Sequence, residues 1–389
     1  MRADRRTRPR VAWVLGFPYP RTVGGAERWI DEAALALGAH VDLSVHYMGE
    51  PGRTPRVARD HDVVHPYRRA SASDRLTLSP SLLRALRRAD VVHVFHYGAL
   101  TSFAAGLLGR LSDRPTYVTD LGANGVRIGR RLGLHRLFDG FLELSRFACA
   151  DRPAERTRVV WGGVDVERLH PGPKAPEPYG LFVGRLLPHK GIDVLIEALP
   201  TGRRLVVAGR PDLDGHAGYL DHLHALAEGK DVRFRYDASD AELAGLYAGA
   251  AFCALPSVWV DCEGTRHHVP ELLGLTLLEG LACGTAGLAS DVASLPEVVR
   301  DGATGLVVPA SYRPAWTSAM ERLLADPELA ARMGEAGRRD VLARFTWDAT
   351  ARRCLQAYAE LSPRAMRGWD PVSVAAPAEE RAPALALAG

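Results

Sequence analysis

Short apolar runs rich in Val, Phe and Tyr recur in the first part of the chain, at Val11–Phe17, Val41–Met48, Asp90–Tyr97 and Pro115–Asp120. Helical patterns, such as Ala26–Leu37 and Leu100–Leu111, lie between several of them. Strands that alternate with helices predict a parallel sheet. A second series follows at Gly180–Leu186, Arg204–Ala208, Val232–Tyr236, Ala250–Leu255, Ala286–Ser290 and Gly305–Val308. Between the two series runs a loop with prolines at Pro171, Pro173, Pro176 and Pro178, which reads as a linker. The expected organisation is α/β, with one Rossmann-like domain over 1–172 and another over 173–345. A last helical pattern, Trp347–Leu361, falls in a segment 346–368, and the tail 369–389, rich in Ala, Pro and Glu, is expected to be disordered. Two open sheets joined by a linker predict a cleft lined by the carboxyl ends of their strands, where ligands of such sheets bind.

Length agrees with this division, because 389 residues exceed what one hydrophobic core usually supports. Five cysteines, widely spaced and without a C-x-x-C pair, argue against a disulfide framework and against a zinc site, and point to a reducing cytoplasm. The basic start Met1–Arg10 precedes an apolar run that is short and lacks a small-residue cleavage site, so it reads as a first strand rather than a signal peptide. No segment reaches the ~20 apolar residues of a membrane helix. The net charge of +3 is small, and no nucleic-acid partner is expected. It conceals a bias: of 49 basic residues only Lys174, Lys190 and Lys230 are lysines. Each lysine position therefore merits a reason.

Candidate chemistry concentrates in three segments. Val183-Gly-Arg-Leu-Leu-Pro-His-Lys-Gly191 closes the first strand of the second series. Gly184 permits close backbone approach, Arg185 presents a planar fork of donors, and Lys190 adds a point charge, so both cations can face one diphosphate. Alternatively, the segment is a strand end with solvated charges. In Pro270–Gly284, a helix beginning near Gly274 leaves the amides of Leu275 and Thr276 free to bind phosphate, with Glu271 before the helix and Glu279 inside it, both able to accept hydrogen bonds from sugar hydroxyls. The plainer alternative is an amphipathic helix with acids in its N-terminal half. Gly24 and Gly25, in Val23-Gly-Gly-Ala-Glu-Arg28, form a glycine pair between first strand and first helix, which by itself is as consistent with a tight turn.

These segments, with Ser145-Arg-Phe147 and Gly162-Gly-Val-Asp165, resemble glycosyltransferase family 4, a retaining, nucleotide-sugar-dependent family with the GT-B fold, over about Val11 to Leu361. The resemblance implies two Rossmann-like domains facing each other and a C-terminal helix crossing back onto the first. It also implies that Arg185 and Lys190 hold the donor diphosphate, that Glu271 contacts the donor sugar, that Glu279 binds the ribose, and that Gly24 and Gly25 close over the phosphates. It implies a hexosyl group moved to a hydroxyl of a polysaccharide, lipid-linked glycan or small natural product.

The chain departs from the family at Thr119-Asp120-Leu121-Gly122, where many members carry a histidine near the acceptor hydroxyl; Asp120 is the nearest substitute, as a catalytic carboxylate or as a turn cap. The loop Trp259–His268 is longer than usual before Glu271 and is either a specificity element or a solvated loop. Its Asp261 and Glu263 form an acid-x-acid pair, but with Arg185 and Lys190 present no metal is expected as cofactor. His93 and His96 read as strand residues. The basic amphipathic stretch Val126–Phe138 allows peripheral contact with an anionic membrane, against the alternative of a surface helix packed on its own sheet or lining the acceptor cleft. Competing functions are a catalytically silent nucleotide-sugar-binding subunit and a GT-B-fold epimerase; a phosphorylase is disfavoured, since no lysine has recognisable pyridoxal flanks.

Overall fold

The computed structural model describes residues 8–18, 24–48, 64–66, 80–122, 133–211 and 213–366. Val23, residues 126–132 of the basic amphipathic stretch and the tail 369–389 lie outside them. What is described of that stretch is a 3-10 turn, Leu134–Leu137. Among the described residues no helix is long and apolar enough to cross a membrane. The five cysteines are free thiols.

The chain forms two compact units: Met1–Leu142 with Glu155–Val160 and Asp348–Gly389, and Glu143–Ala154 with Trp161–Trp347. The first sheet comprises β1 (Arg10–Pro18), β2 (Asp42–Met48), β3 (Val64–Pro66), β4 (Val91–Phe95), β5 (Thr116–Thr119), β6 (Gly140–Glu143) and β7 (Thr157–Val159), in the order β3-β2-β1-β4-β5-β6-β7. The order reverses between β1 and β4, which pair in parallel from Val11 with Val91 to Leu15 with Phe95. Both strands are buried along that register, and their sequences are nearly unbroken apolar runs, as strands covered on both faces require. The C-terminal helix Trp347–Leu361 packs on this sheet: the Tyr358 hydroxyl lies 2.7 Å from Nδ1 of His93, and the Tyr117 hydroxyl donates to Ser362 Oγ at 2.7 Å.

The second sheet comprises β8 (Tyr179–Val183), β9 (Arg204–Ala208), β10 (Asp231–Arg235), β11 (Phe252–Leu255), β12 (Ala286–Ser290) and β13 (Gly305–Val308), in the order β10-β9-β8-β11-β12-β13. All six strands fall where the apolar runs predict them. The central strands β8, β11 and β12 are buried throughout, whereas edge strand β10 alternates exposed and half-buried residues, as its sequence Asp-Val-Arg-Phe-Arg dictates. Its reversal lies between β8 and β11.

The proline-rich loop expected as a linker belongs instead to the second unit. Lys174 ties it down, with Nζ donating to the Ala250 carbonyl and to Thr285 Oγ1, both at 2.8 Å. Lys230 has a similar role, donating at 2.6 Å to the Ile196 carbonyl near the end of helix Ile192–Ala198, where a cation satisfies an orphan acceptor and meets the negative pole of the dipole. Burial lowers the Lys174 pKa from 10.5 to about 8. From about pH 8 to 10.5 the unfolded chain therefore holds a proton that the native lysine has lost, and stability rises with pH across that window. Urea midpoints measured from pH 7 to 10.5 are expected to rise less in Lys174→Met than in wild type; parallel curves would show that the ammonium is not desolvated.

Candidate functional site

The carboxyl end of β8, at the reversal of the second sheet, carries the densest chemistry. Beyond Val183 the backbone continues the ladder, with Gly184 N–H donating to the Ala208 carbonyl and Leu186 N–H to Arg210. Arg185 then points into solvent and, among the described residues, has no ion-pair partner. A 3-10 turn, Pro188–Lys190, ends at Gly191, whose φ of +67° favours glycine. A Cβ there would stand 2.1 Å from the Pro256 carbonyl oxygen, so only glycine lets this turn close against the segment after β11.

That closure delivers Lys190 to Glu271. Lys190 Nζ donates to Glu271 Oε2 at 2.5 Å, with side chains 15% and 13% exposed. Ser294 Oγ donates to the Glu271 backbone carbonyl at 3.3 Å. Three residues on, Gly274 adopts φ +81° and caps the helix Leu275–Ala282. Its first intrahelical donors are Leu277 and Leu278, both to the Gly274 carbonyl, so the amides of Leu275 and Thr276 precede the ladder. Gly184, Arg185, Lys190, Glu271, Gly274, Leu275 and Thr276 thus belong to one sheet edge. Glu279 is buried inside the helix, and its Oε2 accepts a hydrogen bond from the Tyr247 hydroxyl at 2.6 Å. Sequence reasoning missed Tyr247, a tyrosine among the ordinary helix residues of Asp240–Gly249.

The loop before Glu271 is a small hairpin. Val260 and Arg266 form an antiparallel bridge, and His267 N–H donates to the Trp259 carbonyl at 2.8 Å. Asp261 is buried, accepts from the amides of Glu263 and Thr265, and lies 2.7 Å from His267 Nε2. Burial alone would raise its pKa; the bonds from His267, Thr265 and Glu263 outweigh that and hold it low. Glu263 lies 3.7 Å from His216, so the acid-x-acid pair has separate partners. No group of three or more His, Cys, Asp or Glu residues among those described is arranged to hold a metal ion. His189, between Pro188 and Lys190, packs on the His267 ring with centroids 4.9 Å apart. Burial first, then the nearby Lys190, His267 and Arg185, push the His189 pKa down to about 3, against a smaller upward pull from Asp261.

Two other motifs act locally. Ser145 Oγ accepts from Ala148 N–H, while Glu297 receives the amides of Arg146 and Phe147 at 2.8 Å each. Asp165 Oδ1 accepts from the amides of Glu167 and Arg168.

In the first unit, Gly24 is the N-cap of the helix Gly25–Gly38, with an extended φ of −121° that any residue adopts. Asp120 follows β5 directly and is 6% exposed. The two histidines read as strand residues separate here. His93 lies in β4, fully buried between Tyr358 and Thr119, and burial lowers its pKa to about 3. His96 has left the strand and takes φ +69°, an uncommon conformation for a non-glycine residue. Period-two patterning fails for it because the chain turns left-handed one residue past β4. Its Nδ1 lies 3.7 Å from Asp120 Oδ1. Both stand at the carboxyl edge of the first sheet, His96 after β4 at its reversal and Asp120 after the neighbouring β5.

The family described as Glycosyl transferases group 1 matches residues 166–340. A GDP-mannose-dependent alpha-(1-6)-phosphatidylinositol monomannoside mannosyltransferase of Mycobacterium tuberculosis is 30% identical over 348 residues, spanning 82% of this chain and 83% of that protein. An alpha-maltose-1-phosphate synthase of Mycolicibacterium smegmatis is 27% identical over 91% of this chain and all (100%) of that protein. Among solved structures, sucrose-phosphate synthase from Thermosynechococcus elongatus aligns with a TM-score of 0.68 at 23% identity, covering 91% of this chain and 99% of that one. The Anabaena protein HepE in complex with UDP and glucose aligns with a TM-score of 0.70 at 16% identity, covering 90% and 99%. The two Rossmann-like units are those of the GT-B fold, and the chain belongs to the group 1 glycosyltransferases.

Proposed function

We propose that the protein transfers a hexosyl group from a nucleoside diphosphate sugar to a hydroxyl acceptor, with retained configuration and without a metal, as in glycosyltransferase family 4. The observation that carries this reading is the Lys190–Glu271 pair beside the exposed Arg185, which has no ion-pair partner among the described residues, at the carboxyl edge of β8 and ahead of the helix amides of Leu275 and Thr276. Arg185 and Lys190 neutralise the diphosphate, and Gly184 and Gly274 let its oxygens approach the backbone. Glu271, held by Lys190, accepts from a sugar hydroxyl, and Glu279, oriented by Tyr247, accepts from the ribose. Gly24 and Gly25 leave the head of their helix free of side chains for phosphate. As the bond from the anomeric carbon to the diphosphate breaks, negative charge grows on the departing oxygen, where the two cations and the amides stabilise it. The acceptor oxygen bonds to the anomeric carbon from the face the diphosphate leaves, and Asp120 aligns that hydroxyl and draws off its proton.

The named relatives and neighbours bring GDP-mannose, UDP and glucose into consideration as donor chemistry, and phosphatidylinositol mannosides as one acceptor class. A thermal-shift panel of GDP-mannose, UDP-glucose and dTDP-glucose is expected to raise the melting temperature with one of them, since a ligand that binds only the native state stabilises it. The shift and the turnover that follows are expected to survive EDTA. Loss of both in EDTA, restored by magnesium or manganese, would refute metal independence; binding without turnover across acceptor classes would favour a silent subunit.

A further inference from the structure

Lys190 and Glu271 are 81 residues apart in the chain, yet their side chains meet at 2.5 Å. Lys190 ends a 3-10 turn, which is anchored by Gly191. Glu271 lies outside any helix or strand, and its backbone is held by the bond from Ser294 Oγ to its carbonyl at 3.3 Å. What precedes it is the hairpin 259–268, and this hairpin grips the lysine turn at two points. At its base, Val258 N–H donates to the His189 carbonyl at 3.0 Å. On its return arm, four residues before Glu271, the His267 ring packs on the His189 ring.

The second grip depends on Asp261. As a carboxylate it can only accept, so the His267 nitrogen 2.7 Å away carries the proton, which fixes both tautomer and ring plane. Asp261 is itself held by the turn that it opens: Gly264 N–H donates to its carbonyl, and Gly264 takes φ +77°. On the other side His189 is neutral, so the two rings meet without like-charge repulsion. The chain thus runs from a turn in the hairpin through Asp261, His267 and His189 to Lys190, whose partner is Glu271.

We propose that the hairpin 259–268 is a positioning clamp, acting through Asp261, His267 and His189 to hold Lys190 and Glu271 in register for the donor. The clamp rests on the donor-site reading above. Its residues position; none is required to touch the reacting atoms.

The test uses the full chain and, as probe, whichever of UDP, GDP and dTDP wild type binds most tightly by calorimetry. His267→Ala is expected to weaken that nucleoside diphosphate about tenfold, and the donor KM to rise by a similar factor with kcat within about threefold of wild type. His267→Phe restores the ring contact without the bond to Asp261 and is expected to recover part of the affinity; it also serves if the alanine variant does not fold. A purely structural hairpin would lower the melting temperature and leave affinity unchanged. Wild-type affinity in folded His267→Ala, or in folded His267→Phe where alanine does not fold, would overturn the clamp if Lys190→Ala still loses the ligand. Wild-type affinity in Lys190→Ala as well would overturn the donor-site reading, and the clamp with it.

Discussion

Arg185→Ala is expected to fold like wild type and to lose about 2 kcal/mol or more of donor binding, roughly 30-fold in Kd. The fold should not notice the change, because the guanidinium is exposed and has no ion-pair partner among the described residues. A charge-assisted contact to a diphosphate would be its only employment. Lys190→Ala is expected to lose at least as much, but for two reasons, since it also leaves the nearly buried Glu271 carboxylate uncompensated. The double variant with Glu271→Ala separates them: coupling between the two sites reports the pair, and the remainder reports the contact with phosphate. Calorimetry with a nucleoside diphosphate measures each term. Normal affinity in a stable Arg185→Ala protein would remove the diphosphate from this edge of the sheet.

The same residues show what patterning reveals and what it hides. Strands β8, β11 and β12 were legible because burial on both faces demands unbroken apolar runs. Strands β3, β6 and β7 were not: β3 and β7 have three residues each, too few to display a period, β7 is only half-buried, and β6 reads Gly-Phe-Leu-Glu, two apolar residues between a glycine and an acid. The scarcity of lysine drew attention to Lys190, yet Lys174 and Lys230 are as specifically placed and bind only backbone carbonyls and Thr285. Rarity thus marks positions that need a compact cation with several donors, whether or not a ligand is involved. The Asp261–His267 bond left a faint trace, an aspartate three residues before Gly264, the pairing that favours a tight turn. His96 left none, because a left-handed conformation one residue beyond a strand is decided by the tertiary structure.

Asp120→Asn is expected to fold and to bind donor as wild type does, while turnover, read as release of nucleoside diphosphate, falls on the order of 10²-fold. The substitution keeps the shape and one accepting oxygen and removes only the charge. A residue that merely caps the turn after β5 would tolerate it. Two observations favour a chemical role. Asp120 stands at the carboxyl edge of a parallel sheet, one strand from the reversal of strand order, and ligands of such sheets bind at that edge. Its neighbour His96 is held in a left-handed conformation, and strained backbone of this kind concentrates at functional sites. An imidazole 3.7 Å away can steer the carboxylate or, protonated, steady its charge. His96→Asn is the companion variant, because asparagine adopts positive φ readily and the backbone need not change. If the pair works together, His96→Asn lowers turnover, and adding it to Asp120→Asn costs less than the sum of the two single effects. Strict additivity would detach His96 from the chemistry and leave Asp120 alone. An unchanged rate in stable Asp120→Asn would remove the carboxylate itself, and alignment of the acceptor would then fall to backbone groups or to the phosphate of the donor.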